Sequence, residues 1–190
     1  MRSTLAVLVV LTAATLVAGC GGGGSGSDTG RPPREYAAAV CTSVSTWLKQ
    51  IQDRTADLQT EIREIETGDL ESAKSLLVEY LGDTVEYSDT LIDEVDDAGK
   101  PDVDHGEAIA GEVRAAMGRA RTAFVDARTE AEGLPTDSPA AFQEETQEIG
   151  STLQAQGKSI EETLDGVSER YDADELDQAF DNEEACNESS

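Results

Sequence analysis

Apolar side chains recur along most of this chain at alternating steps of three and four residues, the spacing that keeps them on one face of an α-helix. The clearest run is Cys41, Val44, Leu48, Ile51, Thr55, Leu58, Ile62 and Ile65, inside a helix predicted over 35–66 and stopped at Thr67-Gly68. Asp69 is placed to cap a second helix over 70–98, with Leu70, Ala73, Leu77, Tyr80, Thr84, Tyr87, Leu91, Val95 and Ala98 inward, ending at Gly99-Lys100-Pro101. A third helix over 102–132 turns Ile109, Val113, Ala116, Ala120, Phe124, Ala127 and Ala131 inward and closes at Gly133-Leu134-Pro135. Ser138-Pro139 opens a fourth, since proline in the first turn needs no N–H; its face reads Phe142, Thr146, Ile149, Leu153, Gln156, Ile160, Leu164, Val167 and Tyr171. A short fifth helix over 174–180 leads to Cys186.

Four helices of about 30 residues, each about 45 Å long, joined by short breaks, predict an all-α, antiparallel up-down-up-down four-helix bundle with a short C-terminal fifth helix. The bundle domain spans 35–190. An even number of helices brings the end of the chain back to the start of the first helix, which is where Cys186 meets Cys41.

The N-terminus has a different pattern. Met1 and Arg2 precede an apolar run over 5–17, about thirteen residues, the length of a signal-peptide core and short for a membrane span. The run ends in Val17-Ala18-Gly19-Cys20, which resembles the lipobox of bacterial lipoproteins. That resemblance implies a signal peptide over 1–19, lipidation of Cys20, and anchoring of the mature protein at the extracytoplasmic face of the cell membrane; two or three acyl chains give stable anchoring where one does not. The Gly/Ser-rich segment after it, 21–34, has no apolar residue to bury and reads as a disordered tether with an rms reach of about 20 Å. Outside the cytoplasm a disulfide persists, and with Cys20 lipidated the remaining cysteines form an even pair, Cys41 and Cys186. The lipobox, the tether and cysteines near both ends of a helical domain also make the chain similar to small acidic lipoproteins of high-GC Gram-positive bacteria, a likeness that brings no activity with it.

Charge narrows the partners. Forty acidic against fourteen basic residues give a formal charge of −26, which repels nucleic acid. A well-solvated exterior accounts for it. The membrane, through Cys20, and another envelope protein are the expected partners.

Several residue groups carry candidate chemistry. Arg114, Arg121 and Arg128 stand at heptad spacing in one row, to pair with acids of the second helix or to form a stripe for an anion or partner. A second row on the same helix, Ala108, Gly111, Ala115, Gly118 and Thr122, is made of small residues suited to close helix packing or to a groove. The acidic turn around Asp97, Asp102, Asp104 and His105 is a candidate cation site, although its order is not that of an EF-hand loop. With one histidine there is neither a di-iron motif nor a haem ligand pair, so no cofactor is expected. Thr55, Thr84, Thr146 and Gln156 fall on inward faces, where buried hydrogen bonds would set helix register. Trp47, Tyr36 and Tyr171 are expected to pack around the disulfide. No nucleophile and base stand out among so many carboxylates, so the chain reads as a non-enzymatic binding module of the cell envelope. The alternatives are a small-ligand or divalent-cation carrier and a structural spacer. A carrier requires a pocket; a protein-binding module requires a closed core and an apolar outer patch.

Overall fold

The computed structural model describes residues 30–187; the predicted signal peptide, Cys20 and the tether up to residue 29 lie outside the described residues. Six helices follow one another: α1 Pro33–Glu64, α2 Leu70–Ala98, α3 Gly106–Glu132, α4 Pro139–Tyr171, α5 Asp174–Asp181 and α6 Glu184–Asn187. The four long ones run up and down as an antiparallel bundle. The short α5 and the single turn of α6 fold back onto α1, where Cys186 bonds to Cys41 with their Cα atoms 4.9 Å apart.

Local chemistry sets the ends of these helices. Asp69 caps α2, its carboxylate accepting from the Ser72 backbone N–H at 3.1 Å and from the Ser72 hydroxyl at 2.6 Å. That pair of bonds holds the Asp69 carboxyl below its ordinary range. The α2–α3 turn is longer than the pattern predicts, and α3 begins at Gly106 instead of residue 102. His105 sits in the left-handed region at φ 63°, and a Cβ on Gly106 would lie 2.0 Å from the Pro101 carbonyl oxygen, so only glycine fits there.

The segment before α1 is ordered further back than expected. Arg31 donates its backbone N–H to the Lys100 carbonyl and accepts from the Asp102 N–H, both at 2.7 Å, while its guanidinium reaches the Asp97 carbonyl at 3.1 Å. Residues 30–34, read as the end of a disordered tether, are therefore pinned to the α2–α3 turn, with Pro33 already in the first turn of α1.

The interior divides into two apolar clusters. Tyr36, Val40, Leu91, Val95, Ile109, Val113, Ala116, Met117, Val167 and Leu176 form one at the end of the bundle where the described chain starts and finishes. Leu81, Ala127, Ala131, Leu134 and Ile149 form the other, toward the α1–α2 and α3–α4 turns. Consecutive helices pack well: α1 on α2, α2 on α3, α3 on α4. The pair that would close the square, α1 and α4, barely touches.

That open seam explains where burial departs from the expected pattern. The predicted face of α3 is buried almost throughout. On α1 the predicted row Val44, Leu48 and Ile51 is only half-buried, and the buried edge is Ala37, Val40, Ser43 and Arg54. Along the predicted face of α4, only Ile149 and Val167 are fully buried. The apolar stripes of α1 and α4 are half-covered: Val44, Trp47, Ile160 and Leu164 pack on the first cluster, Phe142 and Leu153 on the second.

Candidate functional site

The arginine row resolves into ion pairs. Arg114 Nε lies 2.7 Å from Asp96, Arg121 grips Asp89 with two nitrogens, and Arg128 lies 3.4 Å from Glu132 on its own helix. Two of the three thus latch α3 to α2. The small-residue row is not a packing face: Ala108, Gly111, Ala115 and Thr122 are exposed, and a Cβ on Gly111 or Gly118 would meet nothing within 4 Å.

The acidic turn does not gather into a cation site. Asp97, Asp102, Asp104 and His105 are all exposed, and among the described residues no three His, Cys, Asp or Glu side chains converge to hold a metal ion. Neighbouring carboxylates are engaged elsewhere, Asp96 with Arg114 and Glu107 with Lys100. The His105 ring leans on Tyr171 instead, with centroids 5.7 Å apart. Tyr171 in turn donates its hydroxyl to Glu112 at 2.8 Å, beside the Glu112–Arg170 ion pair. The Arg170 bond first and the Tyr171 bond second hold the Glu112 carboxyl below the usual carboxylate range.

The expected aromatic group around the disulfide is spread out. Tyr36 meets Phe180 edge-to-face at 6.3 Å, whereas Trp47 turns away to Phe124, also at 6.3 Å. Tyr36 is fully buried and its hydroxyl has no hydrogen-bond partner; burial pushes its pKa up to about 12. Trp47 donates its indole N–H to Ser88 at 3.1 Å, and Ser88 donates on to the Thr84 carbonyl at 2.8 Å. Thr55 and Tyr80 share a hydroxyl–hydroxyl bond of 3.1 Å one level along. These polar groups fix α1 against α2, as expected for Thr55, whereas Thr84 and Thr146 bond back to carbonyls of their own helices. The periodic pattern hid one further tie. Arg54 is buried on α1 and bonds Asp83 on α2 at 2.6 Å and Glu61 at 3.0 Å. A charged residue at an i−3 position to Asp57 and i+7 to Trp47 reads as solvent-facing until its partners on α2 are known.

On the open side the chemistry is different. Between α1, α3 and α4 lies a cleft of about 490 Å³ lined by Val44, Trp47, Leu48, Met117, Ala120, Ala123, Phe124, Leu153, Ile160 and Leu164 among others, with Gln156 the one polar side chain among the described residues of its wall. A second hollow of about 490 Å³ adjoins it toward α5, sharing Val44, Met117 and Leu164 and adding Val40, Ile109, Val113, Leu176 and Phe180, with Asp177, Asp181 and Cys186 at its edge. The two hollows, here called the trough, adjoin through Val44, Met117 and Leu164; their α3 wall runs from Ile109 to Phe124, about 22 Å at 1.5 Å per residue, and on it Ile109, Val113 and Met117 also belong to the buried first cluster. Among the described residues, no lysine, arginine or histidine lines either part.

The outer surface offers less. Among the described residues the one large hydrophobic side chain counted as exposed is Ile62, at 43%, and no helix is long and apolar enough to cross a membrane. No protein-family model, curated protein or solved structure matches the chain.

Proposed function

We propose that this protein is a non-enzymatic binding lipoprotein, anchored by lipid at Cys20 to the extracytoplasmic face of a bacterial membrane, that carries an elongated apolar ligand in the seam between α1 and α4. The observation that carries this reading is the pair of adjoining apolar hollows beside α3, which share Val44, Met117 and Leu164. Each lies within the size range of small-molecule sites, which are mostly apolar with a few placed polar groups. The length of their α3 wall exceeds one leaflet of a hydrocarbon core, about 15 Å, so one extended acyl chain fits along it. Burying a dozen methylenes is worth about 10 kcal/mol before the costs of association, which leaves room for micromolar binding. Among the described residues Ile62 is the one large hydrophobic side chain exposed on the outer surface, so the apolar area concentrated in the hollows favours a ligand over a flat protein interface.

Trp47 is the one tryptophan in the chain and it lines the trough, so it reports occupancy. Titrating the purified protein with 1-monolauroylglycerol is expected to give a saturable change in tryptophan emission. Ala123 also lines the cleft, and Ala123→Phe, which adds a ring at that wall, is expected to abolish that change while the melting temperature stays within a few degrees. An emission spectrum indifferent to the lipid would remove the ligand reading. The anchor is tested separately: Cys20→Ala is expected to release the protein from membranes or leave its signal uncleaved.

A further inference from the structure

The last two helices are attached to the bundle differently from the rest. α5 has eight residues and α6 four, too short to persist as helices without packing. Both lie on α1, and α5 touches α4 only lightly. Leu176, Phe180 and Cys186 of this segment wall one hollow together with Ile109, Val113 and Met117 of α3. Three features make the closed position costly. Asp172, at the joint with α4, is a non-glycine residue in the left-handed region at φ 50°. Ala173 before α5 supplies no side-chain bond to cap that helix. Phe180 packs edge-to-face on Tyr36, whose fully buried hydroxyl has no hydrogen-bond partner among the described residues. Against these stand the burial of Leu176 and Ala179 and the bond between Cys41 and Cys186.

We infer that α5 and α6 form a redox-latched flap over the end of the trough: the disulfide holds it shut, and reduction of that bond lets it swing away on the joint at Asp172 and Ala173. Cys41 is 1% exposed, whereas Cys186 is half-buried and lines the hollow, so an attacking thiolate reaches the Cys186 sulfur first. The reductant is a dithiol on the same side of the membrane. One of its thiolates forms a mixed disulfide with Cys186 and expels Cys41 as a thiolate, which takes up a proton. Its second thiol then displaces Cys186, which is protonated in turn, and closes the reductant's own disulfide, so that two electrons and two protons pass to the chain. The opening of the flap stands apart from the ligand reading; the passage of a ligand beneath it rests on that reading.

The full chain is compared with and without excess dithiothreitol, and with the pair Cys41→Ser and Cys186→Ser, which needs no reductant. Hydrogen exchange over 174–187 is expected to accelerate about tenfold or more on reduction, while circular dichroism loses no more helix than α5 and α6 contain. Reoxidation with oxidised glutathione is expected to restore the protection. In the reduced state Tyr36→Phe is expected to slow exchange over 174–187 about fivefold, because the buried hydroxyl that release returns to water is gone. A disulfide that merely staples the chain end predicts no such coupling. Stopped-flow Trp47 emission is expected to show 1-monolauroylglycerol entering the reduced protein about tenfold faster. Protection over 174–187 unchanged by reduction, or loss of helix throughout the bundle, would overturn the flap. Release without faster lipid entry would overturn its control of the trough. Lipid that moves the emission of neither form would overturn the ligand reading and leave the flap in place.

Discussion

α2 and α4 flank the same helix, α3, and are held in opposite ways. α2 is tied on both sides by directional bonds: Trp47 to Ser88, Thr55 to Tyr80 and Arg54 to Asp83 from α1, Arg114 and Arg121 to Asp96 and Asp89 from α3. α4 leans on α3 through apolar contacts, is fixed by Arg170 and Tyr171 to Glu112 near its end, and leaves its other flank to the cleft. Hydrogen bonds and ion pairs work at one register only, because an unpaired buried partner costs more than the bond contributes. Apolar contacts are non-directional and tolerate shifts. α2 is thus held in register on both flanks by directional bonds, whereas α4 is held by apolar contacts and one polar cluster near its C-terminal end.

This contrast is open to attack, and the most damaging step is the removal of the one covalent link across the open side. Replacing both Cys41 and Cys186 with serine is expected to cost about 4 kcal/mol, the chain-entropy value for a loop of this length reduced somewhat for denatured-state structure. Chemical denaturation measures it, and hydrogen exchange in α5 and α6 should rise well before exchange in α2. Next come paired truncations. Leu81→Ala on the closed side is expected to cost about 3 kcal/mol and Leu153→Ala on the cleft about 1 kcal/mol, since Leu81 is 1% exposed and Leu153 already faces a gap. Equal losses would mean that the two sides are packed alike. Arg54→Met is expected to cost about 2 kcal/mol, moderated because Asp83 and Glu61 keep access to water, and to loosen α1 from α2 without altering ligand binding. The smallest effect has the opposite sign. Tyr36→Phe removes an unpaired buried hydroxyl and is expected to add about 1 kcal/mol. Because burial raises the Tyr36 pKa above its ordinary 10.0, the neutral phenol's contribution is complete below that pH and lost as pH climbs through about 12. The wild type should therefore weaken over that alkaline window more than Tyr36→Phe.

The helices and their up-down order are legible in the spacing of apolar residues, because a three-four rhythm over nearly thirty residues has few other solutions. The disulfide is legible as well, from the parity of the helices and the position of the two cysteines. What the rhythm does not carry is whether two apolar stripes meet. Val44 and Leu48 on α1, and Ile160 and Leu164 on α4, have the spacing of core residues, and their pattern is the same whether they touch or line a gap. At one end α5 packs on α1 and contributes Leu176 and Phe180 to the hollow there, a placement that the three-four rhythm of α1 and α4 does not encode. Gln156, expected to face inward and set register through a buried hydrogen bond, is instead exposed at the cleft wall. Arg54 was illegible for the converse reason: its burial depends on carboxylates seven residues away and on another helix.

The bond between Cys41 and Cys186 also changes how the domain responds to pulling. Tension applied between the two chain ends passes along the first turns of α1 to Cys41, crosses the disulfide and leaves through Cys186. The 145-residue span between them is bypassed, so such a load cannot extend α2, α3 or α4 or tear the trough open. Only a few turns of helix stand in the line of force, and a protein tethered at one end and tugged at the other would transmit the strain as a short, stiff link.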